Sequence, residues 1–186
     1  MSRGCSRHTG KGMTMIELIL ALLLLNVVIL TGISMEFGAR RIFSATDLES
    51  LLMGELAPIA SAITTDINRG IGTTSSLPYS TTNIGGCTNT LRIRTDADND
   101  GQVSGGDVWV AYCRTTANNF RYYPNAASTS TYTTLSDRIT QFTRTASNDW
   151  MTIVLAARVI PGSAINLTNP EVVINSSAQF RSASFQ

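Results

Sequence analysis

Histidine and lysine are almost absent from this chain of 186 residues, and each occurs once, as His8 and Lys11. Everything after residue 12 therefore lacks both side chains. Without histidine, that part of the chain has no Ser/His or Cys/His nucleophile pair, no imidazole zinc ligand and no histidine general base. Any catalysis would have to depend on carboxylates alone, so we expect the protein not to be an enzyme.

The remaining charges are unevenly spread along the chain. Arg3, Arg7 and Lys11 all lie in the first twelve residues, and without them the 14 basic residues fall to 11 against 13 acidic ones. The rest of the chain is then slightly acidic, which gives no indication of nucleic-acid binding. At this length we expect one compact domain with an appendage.

Cysteine is also scarce, with three in the chain. Cys5 lies in the basic N-terminal segment, whereas Cys87 and Cys113 lie in a later part that is rich in serine, threonine and asparagine, as exported β-rich domains often are. A single pair in an exported domain predicts a disulfide between Cys87 and Cys113. The alternative is two buried free thiols, which would suit a cytoplasmic protein better.

One long apolar run dominates the N-terminal third of the sequence. Residues 13–35 carry a single charge, Glu17, and residues 18–33 read LILALLLLNVVILTGI. About twenty apolar residues can span a bilayer as a helix, and the basic segment before them predicts a cytoplasmic N-terminal end. An ordinary secretory signal peptide is the alternative, but the run exceeds a typical h-region and no A-x-A-like site follows it.

A second helical pattern follows the apolar run. Its apolar residues recur at spacings of three or four and so share one face of a helix: Leu48, Leu52, Leu56, Ile59, Ile63 and Ile67. The acidic residues off that face are expected to meet solvent: Asp47, Glu49, Glu55 and Asp66. The helix should end near Arg69 with Gly70 as a left-handed cap. Candidate bends are Gly32, Gly38, Gly54 and Pro58.

Beyond Gly70 the helical period gives way to short β-like runs. Strands are predicted at residues 90–94, 108–113, 119–123, 139–145, 151–160, 171–174 and 179–183. Short strands with turn-length gaps favour an antiparallel sheet. The predicted fold class is therefore α+β, with a long N-terminal helix, transmembrane in its first half and amphipathic in its second, packed on an antiparallel β-sheet domain.

The segment between the first two predicted strands is acidic and regularly spaced. In DADNDGQVSGGD, four aspartates stand at positions 1, 3, 5 and 12 and a glycine at position 6: Asp96, Asp98, Asp100, Asp107 and Gly101. This is the spacing of an EF-hand calcium loop, and it resembles dockerin-like loops that end in aspartate. The Gln102 carbonyl would supply the seventh-position oxygen, and Ser104 could contribute directly or through water.

Ca²⁺ is thus the expected cofactor, in a structural role, because the flanking segments read as strands and EF-hand helices are absent. The alternative is a solvated Asn/Asp/Gly turn that binds no metal. A carboxylate pair for glycoside hydrolysis is disfavoured, since Asp96 and Asp107 belong to one loop and nothing in the sequence indicates a substrate cleft.

The junction between the basic segment and the apolar run carries the most specific motif. Gly12, Met13 and Glu17 follow the basic residues and open directly into the helix. This resembles the processing signature of type IV prepilins and type II secretion pseudopilins. The resemblance implies that a prepilin peptidase cuts after Gly12 and methylates the amine of Met13, and that Glu17 is the glutamate at the fifth mature position.

The resemblance divides the chain into four segments. Residues 1–12 are a cleaved leader peptide, 13–35 the transmembrane and polymerisation part of the helix, 36–70 its amphipathic part, and 71–186 a periplasmic or extracellular β-rich domain. Before assembly the protein would cross the inner membrane once, and afterwards it would belong to a periplasmic or cell-surface filament. Its partners would be other pilin or pseudopilin subunits and the peptidase.

Glu17 has a physical role in this scheme. Cleavage leaves a cationic amine on Met13, one helical turn from Glu17. We expect the carboxylate to be poorly paired in a lone subunit and to meet the Met13 amine of a neighbour during assembly, which would reward the correct axial register.

Several features favour a minor subunit over a major one. Phenylalanine is usual where this chain has Met13, and Ser34 stands where major pilins commonly carry proline. Residues 108–144, which include Tyr122 and Tyr123 and then Leu135, Ile139 and Phe142, are similar to minor subunits of the W and J types. The expected function is a minor pilin that initiates or caps a filament. A minor pseudopilin of a type II secretion system and a membrane-anchored exported binding or adhesion module are the alternatives.

Overall fold

The computed structural model describes residues 13–73, 76–147 and 149–181. The predicted leader, including Gly12, lies outside these residues. The helix α1 comes first and is followed by the strands, in the order α1 (Met15–Asn68), β1 (Tyr79–Ser80), β2 (Cys87–Thr95), β3 (Val108–Thr115), β4 (Phe120–Tyr123), β5 (Thr133–Ser136), β6 (Ile139–Ser147), β7 (Trp150–Arg158) and β8 (Glu171–Gln179). The chain divides into two compact units, one up to Phe43 and the other from Ser44. The α+β prediction is confirmed.

The first unit contains the apolar half of α1. This half is long and apolar enough to cross a membrane, and none of its most hydrophobic window is buried by the protein itself. Its polar side chains bond to the helix backbone: Thr31 donates to the Val28 carbonyl at 2.8 Å and Ser34 to the Leu30 carbonyl at 2.7 Å. These bonds satisfy hydroxyl groups that would otherwise be costly in hydrocarbon.

In the second unit the predicted apolar stripe of α1 is buried from Leu52 onward, while Leu48 at its start is half-buried. Leu52, Leu56, Ile63 and Ile67 are fully inaccessible and Ile59 nearly so. They share one core cluster with the inner faces of both sheets, including Leu91 and Ile93 of β2, Phe142 of β6 and Ile153 and Leu155 of β7. Burial of this stripe against two sheets is what holds the second unit together.

Two acidic residues of α1 are less exposed to solvent than predicted. Glu55 is half-buried and accepts a hydrogen bond from Arg138 at 3.3 Å. Asp66 is also half-buried and accepts one from the Tyr112 hydroxyl at 2.7 Å. The prediction was wrong at these positions because two residues that are distant in sequence, Tyr112 of β3 and Arg138 of the β5–β6 connection, cover that side of the helix.

The end of α1 lies near Arg69, as predicted, but the predicted glycine cap is wrong. The helix runs through Pro58 to Asn68, and Gly70 does not adopt a left-handed conformation. Gly70 instead forms an isolated antiparallel bridge with Thr95, and a Cβ on it would lie 2.7 Å from Phe180 Cδ1. Glycine is needed here for the close approach of Phe180 and not for a positive φ.

The strands form two antiparallel sheets where one was predicted. Strands β1 to β5 make a five-stranded sheet in chain order, and β6 to β8 make a three-stranded sheet. The two edge strands of the first sheet are short: β1 has two residues and β5 has four. Neither was predicted, because runs this short show no alternation of apolar and polar residues.

Strand β8 is longer than predicted. It was expected as two strands, residues 171–174 and 179–183, of which 182 and 183 lie outside the described residues. It is a single strand from Glu171 to Gln179, paired along its length with β7. The polar centre of β8 resembles a turn in sequence, but Ser177 bonds across to Thr152 at 2.9 Å within the ladder. Tertiary pairing overrides local propensity here.

Candidate functional site

The acidic loop connects β2 to β3, as predicted, and its backbone makes a tight turn. Asn99 and Gly101 have positive φ angles of 57° and 73°. These are residue types that tolerate the left-handed region. The turn directs two backbone N–H groups at Asp96, whose carboxylate accepts from Asp100 at 3.1 Å and from Gly101 at 3.0 Å.

Three of the four aspartates converge within this loop. Oxygens of Asp96, Asp98 and Asp107 lie within 4.8 Å of one another. Ser104 connects two of them, because its hydroxyl donates to Asp98 at 3.0 Å and its N–H donates to Asp107 at 2.8 Å. A Cβ on Gly106 would overlap the Asp98 carboxylate, so glycine at that position leaves room for the cluster.

The fourth predicted aspartate ligand, Asp100, is arranged differently. The carboxylate of Asp100 is not part of the converging group and accepts the N–H of Gln102 at 2.7 Å. This bond within the turn occupies Asp100 with the backbone. The loop thus assembles the first, third and twelfth positions of the EF-hand pattern, while the fifth position stabilises the turn.

The charges of the loop are partly balanced by an arginine from far along the chain. Arg181 donates to Asp96 at 2.9 Å, and the Asp96 side chain is only 3% exposed. The Ser104 hydroxyl, followed by the N–H of Asp100, lowers the pKa of Asp98, so that carboxyl is ionised at neutral pH. Arg181 had no signal in the sequence that linked it to the loop.

The donor set fits a hard cation. Asp107 Oδ1 is buried and has no hydrogen-bond partner among the described residues. An orphaned carboxylate oxygen is costly in a protein interior unless a proton donor or a metal reaches it. Oxygen ligands alone, with several carboxylates, suit Ca²⁺ better than a transition metal.

The predicted disulfide is present, and it connects the two strands that flank the acidic loop. Cys87 at the start of β2 is joined to Cys113 in β3, with 5.8 Å between their Cα atoms. Both are buried in a small second cluster with Ala111, Tyr123 and Ala126, on the face of β3 opposite to the main core. The bond therefore joins the two strands that carry the acidic loop.

The predicted assembly residues lie at the N-terminal end of α1. Met13 and Thr14 precede the helix, and the Glu17 carboxylate accepts hydrogen bonds from the N–H of Thr14 at 2.8 Å and from its hydroxyl at 3.0 Å. The Thr14 hydroxyl in turn accepts from the N–H of Glu17 at 3.3 Å. This reciprocal arrangement is a capping box.

The capping box corrects one expectation, because Glu17 is not poorly paired in a single chain. Its two bonds both reach Oε2, and they come from Thr14 of the same chain. The T-x-x-E spacing of Thr14 and Glu17 is visible in the sequence and would have predicted these bonds. Cleavage after Gly12 and methylation of the Met13 amine stay predictions.

Comparisons with known proteins add no relative to these features: no family model, no curated protein and no solved structure matches the chain. What the protein does has to be inferred from the exposed apolar half of α1, the capped Glu17 and the acidic loop. The first two lie at the N-terminal end of the chain, and the third lies in the β-rich unit.

Proposed function

We propose that the chain is a prepilin-like structural subunit, processed after Gly12 and built as a minor pilin into a type IV pilus-like filament. The observation that carries the proposal is the exposed apolar half of α1, in which the large side chains from Leu18 to Ile33 are 46 to 66% exposed. A surface of this kind is stable only in lipid or among other apolar helices.

A filament subunit needs both environments in turn. Before assembly, the apolar half of α1 would hold the protein in the inner membrane with its β-rich unit outside the cytoplasm. After assembly, the same half would pack among the helices of other subunits. The disulfide between Cys87 and Cys113 supports an exported location for the β-rich unit.

Glu17 retains the capacity to bond to a neighbour. Thr14 occupies only Oε2, and an ionised carboxylate accepts on both oxygens. Oε1 can therefore receive the cationic Met13 amine of another subunit while the capping box remains intact. The capping box would hold the carboxylate in one orientation. The bond from Oε1 to the Met13 amine of a neighbour would then set the axial register between the two subunits.

Processing is tested by N-terminal mass spectrometry of the membrane-extracted protein. We expect a first residue of Met13 with a methylated amine, and a block of cleavage when Gly12 is replaced by a bulky or charged residue. A start at Met1, or one downstream of Ile33, would contradict the proposal. An uncleaved monomer in the membrane would favour the anchored binding module instead.

The kind of machine is tested by where the mature protein is found. A minor pilin should appear in sheared surface filaments together with other pilins. A minor pseudopilin of a type II secretion system should stay in the periplasm, and its deletion should stop secretion of exported proteins while surface filaments persist. A secretin and an assembly ATPase encoded next to it would fit both machines.

We also propose that the acidic loop binds one structural Ca²⁺. Asp96, Asp98 and Asp107 supply the converging oxygens, and Asp100 and the Gln102 carbonyl would complete the set on a small turn rearrangement. Calorimetric titration and thermal melting with Ca²⁺, Mg²⁺ and a chelator test this, with Asp98→Ala as the variant. A cation that binds only the folded form raises its stability. If neither binding heat nor a Ca²⁺-dependent melting shift is observed, the loop is an acidic turn that binds no metal.

A further inference from the structure

A cleft in the second unit is lined by no residue of the acidic loop or of the apolar half of α1. Its volume is about 520 Å³, and it opens between the last turns of α1 and strands β3, β4 and β5. The helix side is Pro58, Ser61, Ala62, Thr65 and Asp66, and the strand side is Tyr112, Tyr122 and Leu135. Asp66 and Tyr122 also border a neighbouring polar cavity of about 360 Å³, which is lined in addition by Arg69 and by Asp96 and Asn99 of the acidic loop.

Asp66 places a carboxylate on the wall of this cleft without a close counter-ion. It is half-buried, and no basic nitrogen of the described residues comes within 4.0 Å of its carboxylate. Burial is the largest effect on this group and raises its pKa, against the Tyr112 hydroxyl and the charge of Arg69. A partly desolvated, unpaired carboxylate favours a ligand that brings a positive charge.

The hydroxyl groups of the cleft also favour a ligand that donates hydrogen bonds. Tyr112 uses its proton on Asp66 at 2.7 Å, and Thr65 uses its proton on the Ser61 carbonyl at 2.8 Å. Their oxygens keep lone pairs, and the carboxylate is an acceptor only. The hydroxyl protons of Tyr112 and Thr65 are therefore already donated, and the acceptors that remain at these two oxygens and at Asp66 suit an ammonium or guanidinium group.

Aromatic and apolar groups complete the cleft. The Tyr122 ring is partly exposed and forms one wall beside the carboxylate, and its centroid lies 5.0 Å from that of the buried Tyr112 ring behind it. Aromatic faces attract cations, and the effect is larger when the cation is partly desolvated. Pro58, Ala62 and Leu135 offer an apolar surface for an aliphatic stem. Carboxylate, aromatic wall and apolar surface together match a long basic side chain, whose stem is apolar and whose head is charged.

We propose that this cleft is the docking site for one basic side chain, arginine or lysine, presented by a protein partner. The charged head would pair with Asp66 beside the ring of Tyr122, and the stem would lie along Ala62 and Pro58. The cleft is open along its length, so a side chain attached to a protein backbone can enter it from the side. If the partner is a second mature copy of this chain, the side chain is an arginine, because lysine is absent after Lys11.

The test uses the purified full-length chain and blocked amino acids as probes. N-acetyl-arginine amide, N-acetyl-lysine amide and the neutral analogue N-acetyl-citrulline amide are titrated and followed by ligand-observed NMR. Both cationic probes should bind saturably, and citrulline should bind about tenfold more weakly or worse, because it lacks the charge. This comparison does not involve processing or filament assembly, so its outcome is independent of the proposed function.

Variants locate the binding to the cleft. Asp66→Asn keeps an acceptor for Tyr112 and should weaken the cationic probes about tenfold. Asp47→Asn is the matched control, since it removes one carboxylate from an exposed position of the same helix and should change nothing. Ala62→Trp fills the apolar surface without altering any charge and should abolish binding. Circular dichroism melting verifies that each variant is folded.

Three results would overturn the proposal. Citrulline binding as tightly as arginine would show that charge plays no part. Equal affinity of wild type and a folded Asp66→Asn variant, or retention of binding by Ala62→Trp, would place the probes elsewhere. Spermidine binding far more tightly than either blocked amino acid would identify the cleft as a site for free polyamines and not for a protein side chain.

Discussion

Arg181 and Asp96 lie 85 residues apart in the chain, yet the guanidinium of one is 2.9 Å from the carboxylate of the other. The backbone N–H of Arg181 also donates to the Gly70 carbonyl at 3.2 Å, so the same residue reaches the end of α1. Next to it, Phe180 is buried and stacks on Tyr79 with ring centroids 5.7 Å apart. The acidic loop is thereby connected to the segment that follows β8.

This contact predicts that Arg181 and a bound Ca²⁺ compete to neutralise the Asp96 carboxylate. Arg181→Gln would leave the buried Asp96 carboxylate without its positive neighbour and should destabilise the calcium-free protein by on the order of 1–2 kcal/mol. The Ca²⁺-dependent rise in melting temperature should then exceed that of the wild type, because the metal takes over the lost neutralisation. Thermal melting with Ca²⁺ and with chelator measures both quantities.

Arg40→Gln is the control for this experiment, since Arg40 pairs with Glu36 on the exposed helix and its side chain is 76% exposed. It should affect neither quantity. A Ca²⁺-dependent shift that is smaller in Arg181→Gln than in the wild type would contradict the prediction, because it would mean that Arg181 helps the loop to hold the metal.

Asp66 predicts a dependence of stability on pH. Burial raises its pKa above the ordinary value of 3.8 in the folded protein. The folded state therefore binds this proton more tightly than the unfolded state, so the stability that Asp66 contributes is complete below 3.8 and is lost as pH rises through the raised pKa. Asp66→Asn should be more stable than wild type at neutral pH, by less than about 1 kcal/mol because the group is half exposed.

Urea unfolding at neutral pH and at a pH below the ordinary aspartate value would check this. The advantage of Asp66→Asn should vanish in acid, where the wild-type carboxyl is also neutral. If the variant is the less stable protein at neutral pH, the hydrogen bond from Tyr112 to the ionised carboxylate outweighs the cost of burying the charge.

The disulfide should contribute a large part of the stability of the β-rich unit. Cys87 and Cys113 are separated by 26 positions, and a loop of that size corresponds to roughly 3.5 kcal/mol on the chain-entropy model. Replacing both by serine should lower the free energy of unfolding by about that amount, and the Ca²⁺ response should weaken because β2 and β3 flank the acidic loop. Cys5→Ser in the unprocessed chain is the control. Two free thiols in protein recovered from the periplasm would contradict the prediction.

The capping box at the start of α1 predicts different effects for its two members. Glu17→Gln should spare membrane insertion and strongly reduce incorporation into filaments, because a neutral amide cannot pair with the Met13 amine. Thr14→Val removes the capping hydroxyl and should loosen the first turn by about 1 kcal/mol with a milder assembly defect, while Thr14→Ser should behave as wild type. The measurement is the amount of each variant in sheared filament fractions. Equal incorporation of Glu17→Gln and wild type would exclude the register role.

The helix, the disulfide and the position of the acidic loop could be predicted because their signals are local or nearly so. The stripe from Leu52 to Ile67 repeats every three or four residues, and this period directly encodes a buried helical face. Gly101 permits the left-handed turn that the aspartate spacing requires. Cys87 and Cys113 were the only pair left after the leader, so no geometry was needed to match them.

Contacts between distant parts of the chain could not be predicted in this way. Nothing near Asp66 in sequence indicates that Tyr112 will cover it, and nothing near Asp96 indicates Arg181. Gly70 looked like a helix cap because glycine is common at that position, but Phe180 determined its role. These residues are set by how the sheets fold against α1, which a single sequence does not encode as a local pattern.

Strand β8 lies at one side of the three-stranded sheet, and no strand of the described residues pairs with its outer side. A free side nine residues long is a template on which a strand of another molecule can be added, and so a route to unwanted aggregation. The centre of β8 is Asn175, Ser176 and Ser177, which have low β-propensity and offer no apolar surface to an incoming strand. These polar residues are the reason that β8 was not predicted as one strand, and they also help to prevent a second copy of the protein from pairing with its open side.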